Sequence, residues 1–252
     1  MRSVVLLRVL VLVAVIGLWQ ALSGAVVDPY FISSPARIAS DLKDGFVGGT
    51  LPRDVGTTML EAGIGLVLGM LSGILGGLLF GFFPLLDRVL EPFLGALNAI
   101  PRPALAPLFV LWFGLGMTSK VVVAWSLVFF VAFYNAYQGV KSIDQDVVNA
   151  VSVMKASRLQ MMRLVILPAV FSWVFAAFKL SVGYALIGAI VGEFVGSTSG
   201  LGYELTQAQG LLDTDRVFSI VVLTGVLAGV VLYLAQVVEN SVLKWRPQVN
   251  FG

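Results

Sequence analysis

GIGLVLGMLSGILGGLLFGFF, residues 63–83, is an uninterrupted run without a charged side chain. A helix needs about 20 predominantly apolar residues to cross the hydrocarbon core of a bilayer, so this run predicts a membrane-spanning helix. Glycine recurs at every fourth residue along it, which places these glycines on one helix face. They are Gly65, Gly69, Gly73, Gly77 and Gly81. Because helices in lipid associate where small residues let their backbones approach, the stripe predicts a packing surface; a direct role in substrate passage is the alternative interpretation.

The composition of the chain agrees with a bilayer environment. Of its 252 residues, 58% are hydrophobic and 12% are charged, and the mean hydropathy is +0.96. Charged residues usually form about a quarter of a soluble domain, so this chain has too few to cover a water-exposed surface. Cysteine and histidine are absent, which excludes thiol nucleophiles, disulfides and imidazole chemistry and removes the usual zinc and haem ligands. The formal charge of +2, without a basic tract, gives no indication of nucleic-acid binding.

Other apolar stretches extend the prediction to an all-α membrane protein with about six spans in a single domain, residues 1–252. The predicted spans are about 9–27, 63–83, 94–113, 121–140, 165–192 and 217–238. The first stretch could instead be a cleaved signal peptide, since basic residues precede it, but it is longer than the usual apolar core of about 7 to 15 residues. Between the first two spans, Ser34-Pro35 predicts the start of a short amphipathic helix that stops near Gly48-Gly49.

The distribution of Lys and Arg predicts the orientation in the membrane. With six spans and the N-terminus inside, nine basic residues fall on the inner side and five on the outer side. The inner residues are Arg2, Arg8, Arg88, Lys141, Lys155, Arg158, Arg163, Lys244 and Arg246. The outer residues are Arg37, Lys43, Arg53, Lys120 and Arg216. The positive-inside rule therefore predicts that both termini lie in the cytoplasm.

Residues 141–163 interrupt the apolar pattern with six charged side chains and predict a helical segment outside the membrane. Within and beyond it, NAVSVMKASRLQMMRLVILPA, Asn149 to Ala169, resembles the coupling motif of importer permeases in the ATP-binding cassette superfamily. That motif reads EAA, three residues, G, nine residues, then I-x-L-P. Ala150, Leu167 and Pro168 match it, and Val165 stands in for the Ile.

Three positions depart from the coupling motif. Asn149 replaces the acidic residue, Val151 replaces the second alanine, and Lys155 replaces the glycine at which the family turns between two short helices.

Two further stretches extend the resemblance to the permeases of the nitrate, sulfonate and taurine importer group. AIPRPALAPLFVLWFGLGMTSKV, Ala99 to Val121, resembles their third-span signature, and GEFVGSTSGLGY, Gly192 to Tyr203, resembles their loop after the fifth span. The resemblance implies the fold of a type I importer permease in the bacterial cytoplasmic (inner) membrane. It implies a transported solute that is a small anion such as a sulfonate, taurine or nitrate.

The resemblance also implies partners. A second permease copy, in a homodimer, two ATP-binding subunits and an extracytoplasmic solute-binding protein would complete the transporter. ATP and Mg would be bound by the ATPase, since this chain has no G-x-x-x-x-G-K-[ST] loop. We therefore expect no cofactor and no enzymatic activity in this chain.

The resemblance places coupling to the ATPase in the segment 141–163 and the I-x-L-P end of the motif. The candidate coupling residues are Asn149, Ala150, Lys155, Ala156, Ser157, Arg158, Leu167 and Pro168. Ala156 and Ser157 are small enough to enter a groove, while Lys155 and Arg158 could pair with carboxylates at its rim. The alternative is an ordinary loop that its basic residues hold at the lipid headgroups.

Ionisable residues at membrane depth suggest a pathway or a paired structural site. The candidates for the substrate pathway or gate are Arg102, Lys179, Glu193, Ser197 and Ser199. Arg102 lies between two prolines at a predicted helix break, which suits a small anion; alternatively, it reaches the headgroups. Lys179 and Glu193 lie about 21 Å apart along an ideal helix, so each is expected to meet a partner on another span. Glu193 either closes an outer gate or holds the following loop.

The loop that contains Ser197 and Ser199 is rich in glycine and hydroxyl groups. It could offer donors to an anion, dock the binding protein or act in gating, or it could need nothing more than its turns. Among other classes of protein, a secondary transporter or channel is the alternative, although no convincing internal repeat is present. An intramembrane enzyme would need a catalytic cluster that the sequence lacks. Co-purification with an ATPase would distinguish a permease from a structural scaffold.

Overall fold

The computed structural model describes residues 2–242; at Arg2, Ser3, Arg158, Asn240 and Val242 it describes the backbone alone. The regular structure of this part of the chain is helical. The helices are α1 (Arg2–Leu22), α2 (Pro35–Val47), α3 (Thr50–Phe82), α4 (Pro84–Ala99), α5 (Ala106–Phe113), α6 (Met117–Lys141), α7 (Gln145–Val153), α8 (Arg158–Met161), α9 (Leu167–Val195), α10 (Leu201–Gly210) and α11 (Thr214–Val242), with a 3₁₀ turn at Arg102–Leu105 and a π-helical turn at Met162–Ile166.

Five of these helical segments are long and apolar enough to cross a membrane, and a sixth is added if a bent pair counts as one span. The bent pair replaces the predicted span 94–113: a helix ends at Ala99, resumes at Arg102 and turns by 81° between them. Pro101 and Pro103 explain the break, because proline lacks an N–H group and pushes the preceding residue into extended conformation. Ile100, with φ −70° and ψ 125°, shows this effect.

The first predicted span, 9–27, has different limits in the structure. Helix α1 ends at Leu22, and Gly24 follows with a φ of +84° that turns the chain back. The apolar side chains of α1 from Val4 onwards are largely exposed, and the Trp19 indole N–H donates to the Ser33 carbonyl at 2.8 Å. Helix α1 therefore lies beside the bundle rather than within its core.

The short amphipathic helix predicted after Ser34 is confirmed. Helix α2 begins at Pro35, the hydroxyl of Ser34 accepts the N–H of Arg37, and the helix stops at Gly48. The serine cap and the proline in the first turn are the signals that predicted it.

The core of the bundle is formed by α3, α6 and α9, and the glycine stripe of α3 lies against α6. A Cβ atom added at Gly65 would lie 2.5 Å from the Cβ of Ala124, and one at Gly73 would lie 2.5 Å from the carbonyl oxygen of Phe129. Neither position can hold a larger side chain without separating the helices. The packing interpretation of the stripe is confirmed.

Helices α3, α6 and α9 bring two groups of residues to opposite ends of the bundle. One end carries the short helices α7 and α8, which form a knob, and is called the knob end. There the Asp87 carboxylate accepts hydrogen bonds from the Tyr137 hydroxyl and the Lys141 ammonium, both at 2.7 Å. The indole of Trp173 donates to Ser142 at 3.1 Å there. At the other end, called the loop end, the segment after α9 folds back onto the start of α3. These two ends carry most of the predicted site residues.

Candidate functional site: a coupling knob and a mid-span cavity

The segment between α6 and α9 folds into two short helices, α7 and α8, which together form the knob. Helix α8 starts with a reciprocal cap: the N–H of Gln160 donates to the Ser157 hydroxyl at 3.3 Å, and the N–H of Ser157 donates to the Gln160 side-chain oxygen at 2.8 Å. This is a capping box, S-x-x-Q. The motif is visible in the sequence, so Ser157 could have been recognised there as a helix cap.

Lys155 forms the turn between α7 and α8 with a φ of +57°. The coupling motif that this segment resembles has glycine at its turn. This chain turns at the same position, although a lysine occupies it. The left-handed conformation costs a non-glycine residue about 1 to 2 kcal/mol. The departure at Lys155 thus keeps the helix-turn-helix path at a cost in local stability.

The other predicted coupling residues differ in exposure. Ala150 is exposed on α7, Asn149 accepts a hydrogen bond from Gln145 at 3.3 Å, and Ala156 is half-buried. Arg158 begins α8, but its side chain lies outside the described part of the structure.

Sequence reasoning missed the most exposed apolar side chains of the knob. Val153, Met154 and Leu159 are 82%, 80% and 73% exposed at the corner between α7 and α8. Three uncovered apolar side chains at one polar corner are typical of a surface that another protein covers. Their signal in the sequence was three apolar residues inside the charged segment.

Leu167 and Pro168 join the knob to α9. The N–H of Leu167 donates to the Met162 carbonyl, five residues earlier, within the π-helical turn. Pro168 has no N–H for the carbonyl of Leu164, which would be its partner in a regular α-helix, so the wider turn accommodates the proline. The I-x-L-P end of the motif therefore shapes the helix that leaves the knob.

The loop end is organised around Glu193, which is 1% exposed. One carboxylate oxygen accepts the Thr58 hydroxyl and the other accepts the N–H of Gly202, both at 2.7 Å. Thr58 in turn accepts the N–H of Leu201 at 2.9 Å, and Asp54 accepts that of Gly200 at 2.8 Å. Two acidic side chains and a threonine thus fix three consecutive backbone N–H groups of the loop.

Gly200 is required for this arrangement. Its φ is +103°, and an added Cβ would meet the carboxylate of Glu193. The hydroxyl of Ser197 donates to the Ser199 carbonyl at 2.8 Å and accepts its N–H at 3.4 Å. Both serines therefore form a local turn, which agrees with the alternative interpretation that this loop needs only its turns.

Two further charged residues are buried beside Glu193. Lys120, one of the basic residues counted on the outer side, has a fully buried side chain that donates to the carbonyls of Leu115 and Gly116. Glu61 is 2% exposed and interacts electrostatically with Lys120 and Glu193. The ammonium group of Lys120 satisfies carbonyls in the turn between α5 and α6.

Arg102 lies at a cavity of about 350 Å³ between the end of α4, α6 and α9. Its guanidinium donates to the carbonyls of Asn98 and Leu97, at 2.6 and 3.2 Å, and to the side chain of Asn98 at 3.0 Å. It also lies 4.1 Å from the ring centre of Phe130. Arg102 therefore caps the free carbonyls of α4 and presents a cation at the cavity.

Lys179 does not line this cavity. It donates to Gln236 and lies 3.7 Å from the Glu239 carboxylate, which joins α9 to α11. Glu193 finds its partner on α3, so the expectation that these two residues bind to other spans is confirmed.

A bundle of membrane-spanning helices with a polar knob at one end and a charged cavity within it belongs to the class of helical transport proteins. The part of the chain that the structure describes contains no group of acidic side chains placed to hold a metal ion. The chain belongs to the family of binding-protein-dependent transport system inner membrane components, which matches residues 65–244.

Known relatives support this membership. The chain is 30% identical to the putative aliphatic sulfonates transport permease protein SsuC of Bacillus subtilis (strain 168), over 92% of this chain and 84% of its relative. It is 31% identical to the formylaminopyrimidine transport permease protein ThiX of Halalkalibacterium halodurans, over 91% of both chains. The inward-facing structure of the MetNI methionine ABC transporter has a TM-score of 0.59 at 18% identity, over 74% of this chain and 91% of that one, which shows a shared fold. The predicted type I importer fold is confirmed.

Proposed function

We propose that this chain is the permease subunit of an ATP-driven importer, in which two copies form the pathway for a small solute. Two separate ATPase subunits, which carry ATP and Mg, bind at the knob ends, and an extracytoplasmic solute-binding protein docks at the loop ends. The knob and both termini lie in the cytoplasm, as the distribution of basic residues supports.

The observation that carries the proposal is the exposed apolar corner of the knob. Val153, Met154 and Leu159 have no cover in the monomer. The knob follows α6 directly and continues through the π-helical turn into α9, and the bond between Trp173 and Ser142 joins these two helices beside it. A partner that moved this corner would therefore move α6 and α9 as well. A secondary transporter or channel, the alternative, would not need such a surface.

The test is co-purification of the chain with its cognate ATPase, followed by ATPase assays in nanodiscs. We expect Met154→Asp with Leu159→Asp to abolish assembly or transport-coupled hydrolysis, since two buried charges would each cost several kcal/mol at an apolar contact. Leu211→Asp is the matched control for assembly with the ATPase, because Leu211 is 79% exposed and lies far from the knob, just after α10 at the loop end.

Two results would contradict the proposal. If no ATPase co-purifies with the native chain, the permease interpretation fails in favour of a secondary transporter or channel. If the double variant assembles and couples like the native chain, the apolar corner is not the ATPase contact.

For the solute, we propose a small anion that passes Arg102, such as a sulfonate, taurine or nitrate. Arg102 supports this because its guanidinium has no carboxylate partner among the described residues. The names of the relatives, which include permeases for aliphatic sulfonates and formylaminopyrimidine, support a small organic solute.

A further inference from the structure

The cavity beside Arg102 carries information on the kind of solute, an inference that rests on the proposed function. Its lining from α6 includes Phe130 and Tyr134, near the middle of that helix, and Leu180 and Tyr184 contribute from the middle of α9. The cavity therefore lies about halfway along α6 and α9. A cation at this depth is costly unless it serves a pathway or is paired.

The guanidinium of Arg102 is fixed in an orientation that leaves some of its N–H groups available to an anion. Three hydrogen bonds fix its guanidinium to Asn98 and Leu97, and Phe130 lies beneath it. A guanidinium has five N–H donors, and the remaining two have no acceptor among the described residues. Because both Nη2 hydrogens are used, the remaining donors lie on Nε and Nη1, and each can give a single charge-assisted hydrogen bond to an oxygen of a carboxylate or sulfonate.

Within the proposed class of small anions, the size and lining of the cavity favour members larger than nitrate or taurine. A volume of about 350 Å³ lies in the range of pockets for small organic ligands. Nitrate or a two-carbon sulfonate would leave most of it to water. Apart from Arg102 and two asparagines, Asn98 and Asn135, the lining is aromatic or aliphatic.

Aromatic side chains contribute three of the lining residues. Phe130 has one face near the guanidinium, while Tyr134 and Tyr184 supply rings with a polar end from two different helices. Rings associate in offset or edge-to-face arrangements and gain energy beyond simple burial. Such a lining favours a flat ring next to the anionic group.

We propose that this cavity binds aromatic anions, in which a carboxylate or sulfonate group is attached to a flat ring. The anionic group contacts Arg102, and the ring lies between Tyr134 of α6 and Tyr184 of α9. The solutes for which the transporter is selective then carry both features.

The test is a binding measurement on the purified complex of permease and ATPase in nanodiscs, without the binding protein. The probes are benzenesulfonate and methanesulfonate, which share the anionic group and differ in the ring. We expect benzenesulfonate to bind on the order of tenfold more tightly, because its ring removes apolar surface from water. Isothermal titration calorimetry gives both dissociation constants.

Three variants assign the site. Arg102→Gln should weaken benzenesulfonate binding by on the order of tenfold or more through the lost charge-assisted hydrogen bonds. Tyr184→Leu should remove the preference for the ring while leaving methanesulfonate binding unchanged. Arg88→Gln removes a cation outside the cavity and is the control. The complex that carries it should bind both probes with native affinity. Unchanged size-exclusion profiles show that each variant is folded.

Equal affinity of the native complex for both probes, or a benzenesulfonate affinity that Arg102→Gln leaves unchanged, would overturn the assignment of the cavity. A complex that assembles and couples ATP hydrolysis but binds neither probe would overturn the inference and leave the proposed function standing. Failure of the ATPase to co-purify with the native chain would overturn both.

Discussion

At the scale of single residues, the described structure depends on side chains that form hydrogen bonds with otherwise unpaired backbone groups. Glu193 holds the loop after α9, and Ser157 caps α8. Arg102 caps free carbonyls of α4, and Lys120 binds carbonyls of the turn between α5 and α6. In a bilayer, a backbone N–H or C=O group without a hydrogen-bond partner costs several kcal/mol, because no water is present to form the missing bond. Polar residues at membrane depth therefore have a structural role in this protein, in addition to any role in transport.

Glu193→Gln should loosen the loop end. The amide presents an N–H₂ group where one carboxylate oxygen now accepts a backbone N–H from Gly202, so one donor loses its acceptor. We expect a loss of about 1 to 3 kcal/mol in the free energy of unfolding, measured by thermal unfolding, and faster proteolysis within residues 196–202. Glu91→Gln, on the exposed side of α4, is the control. Native-like protection of the loop in the Glu193 variant would show that its carboxylate does not fix the loop.

Lys155→Gly should stabilise the knob. Glycine adopts the positive φ of this turn without the clash that a Cβ atom causes, and the gain exceeds its extra chain entropy by about 0.5 to 1 kcal/mol. Hydrogen exchange of the α7 and α8 amides should slow in Lys155→Gly and stay unchanged in Lys155→Ala, the control that keeps a Cβ atom. The same exchange rate in both variants would contradict the strain at this turn.

At the scale of elements, close contact between α3 and α6 sets the core. The glycines of α3 let its backbone approach α6 from Gly65 to Gly81, and van der Waals contact along this line replaces the hydrophobic drive that lipid cannot supply. The break at Pro101 and Pro103 has the opposite effect, since it ends α4 early and leaves room for a cavity.

Two alanine substitutions in α3 separate packing from helix propensity. Gly73→Ala should destabilise the protein by about 1 to 3 kcal/mol, because its Cβ would collide with the backbone of α6. Gly63→Ala should be neutral or stabilising, because nothing lies within 4 Å of its added Cβ. Thermal unfolding in one lipid composition compares the two. Equal melting temperatures would refute the close approach at Gly73.

At the scale of the whole molecule, α4 connects the knob end with the cavity. Its first turn is joined to the end of α6 through Asp87, Tyr137 and Lys141, and its last turn is held by Arg102. A shift of the end of α6, from which the knob continues, would therefore reach α4 through Asp87 and the cavity through Arg102. Under the proposed function, this is a physical connection between ATP hydrolysis and the solute.

Breaking the joint at Asp87 should impair coupling more than assembly. We expect Asp87→Lys and Lys141→Asp each to lower substrate-stimulated ATPase activity several-fold, because each places like charges at a 2.7 Å contact. The double variant should recover part of the activity, since it restores an ion pair in reverse. Assays of the reconstituted transporter give the comparison. Full coupling in Asp87→Lys, or no recovery in the double variant, would contradict the connection through α4.

The sequence by itself determined the membrane class, most of the long apolar helices, helix α2, the polar segment of the knob and the break beside Arg102. Each depends on residues within a few turns of one another: apolar runs, a serine followed by proline, charges that interrupt an apolar pattern, and two closely spaced prolines. Physical effects over such short distances act in the same way whatever the rest of the chain does.

Only the tertiary structure decided which polar residues meet. Thr58 and Glu193 are 135 positions apart, and the buried Lys120 interacts electrostatically with Glu61 of α3 and Glu193 of α9. The cavity likewise needs Arg102 from one segment, Tyr134 from α6 and Tyr184 from α9. Hydropathy and helix propensity describe neighbours along the chain, whereas these contacts depend on how the glycine face of α3 sets the positions of α6 and α9.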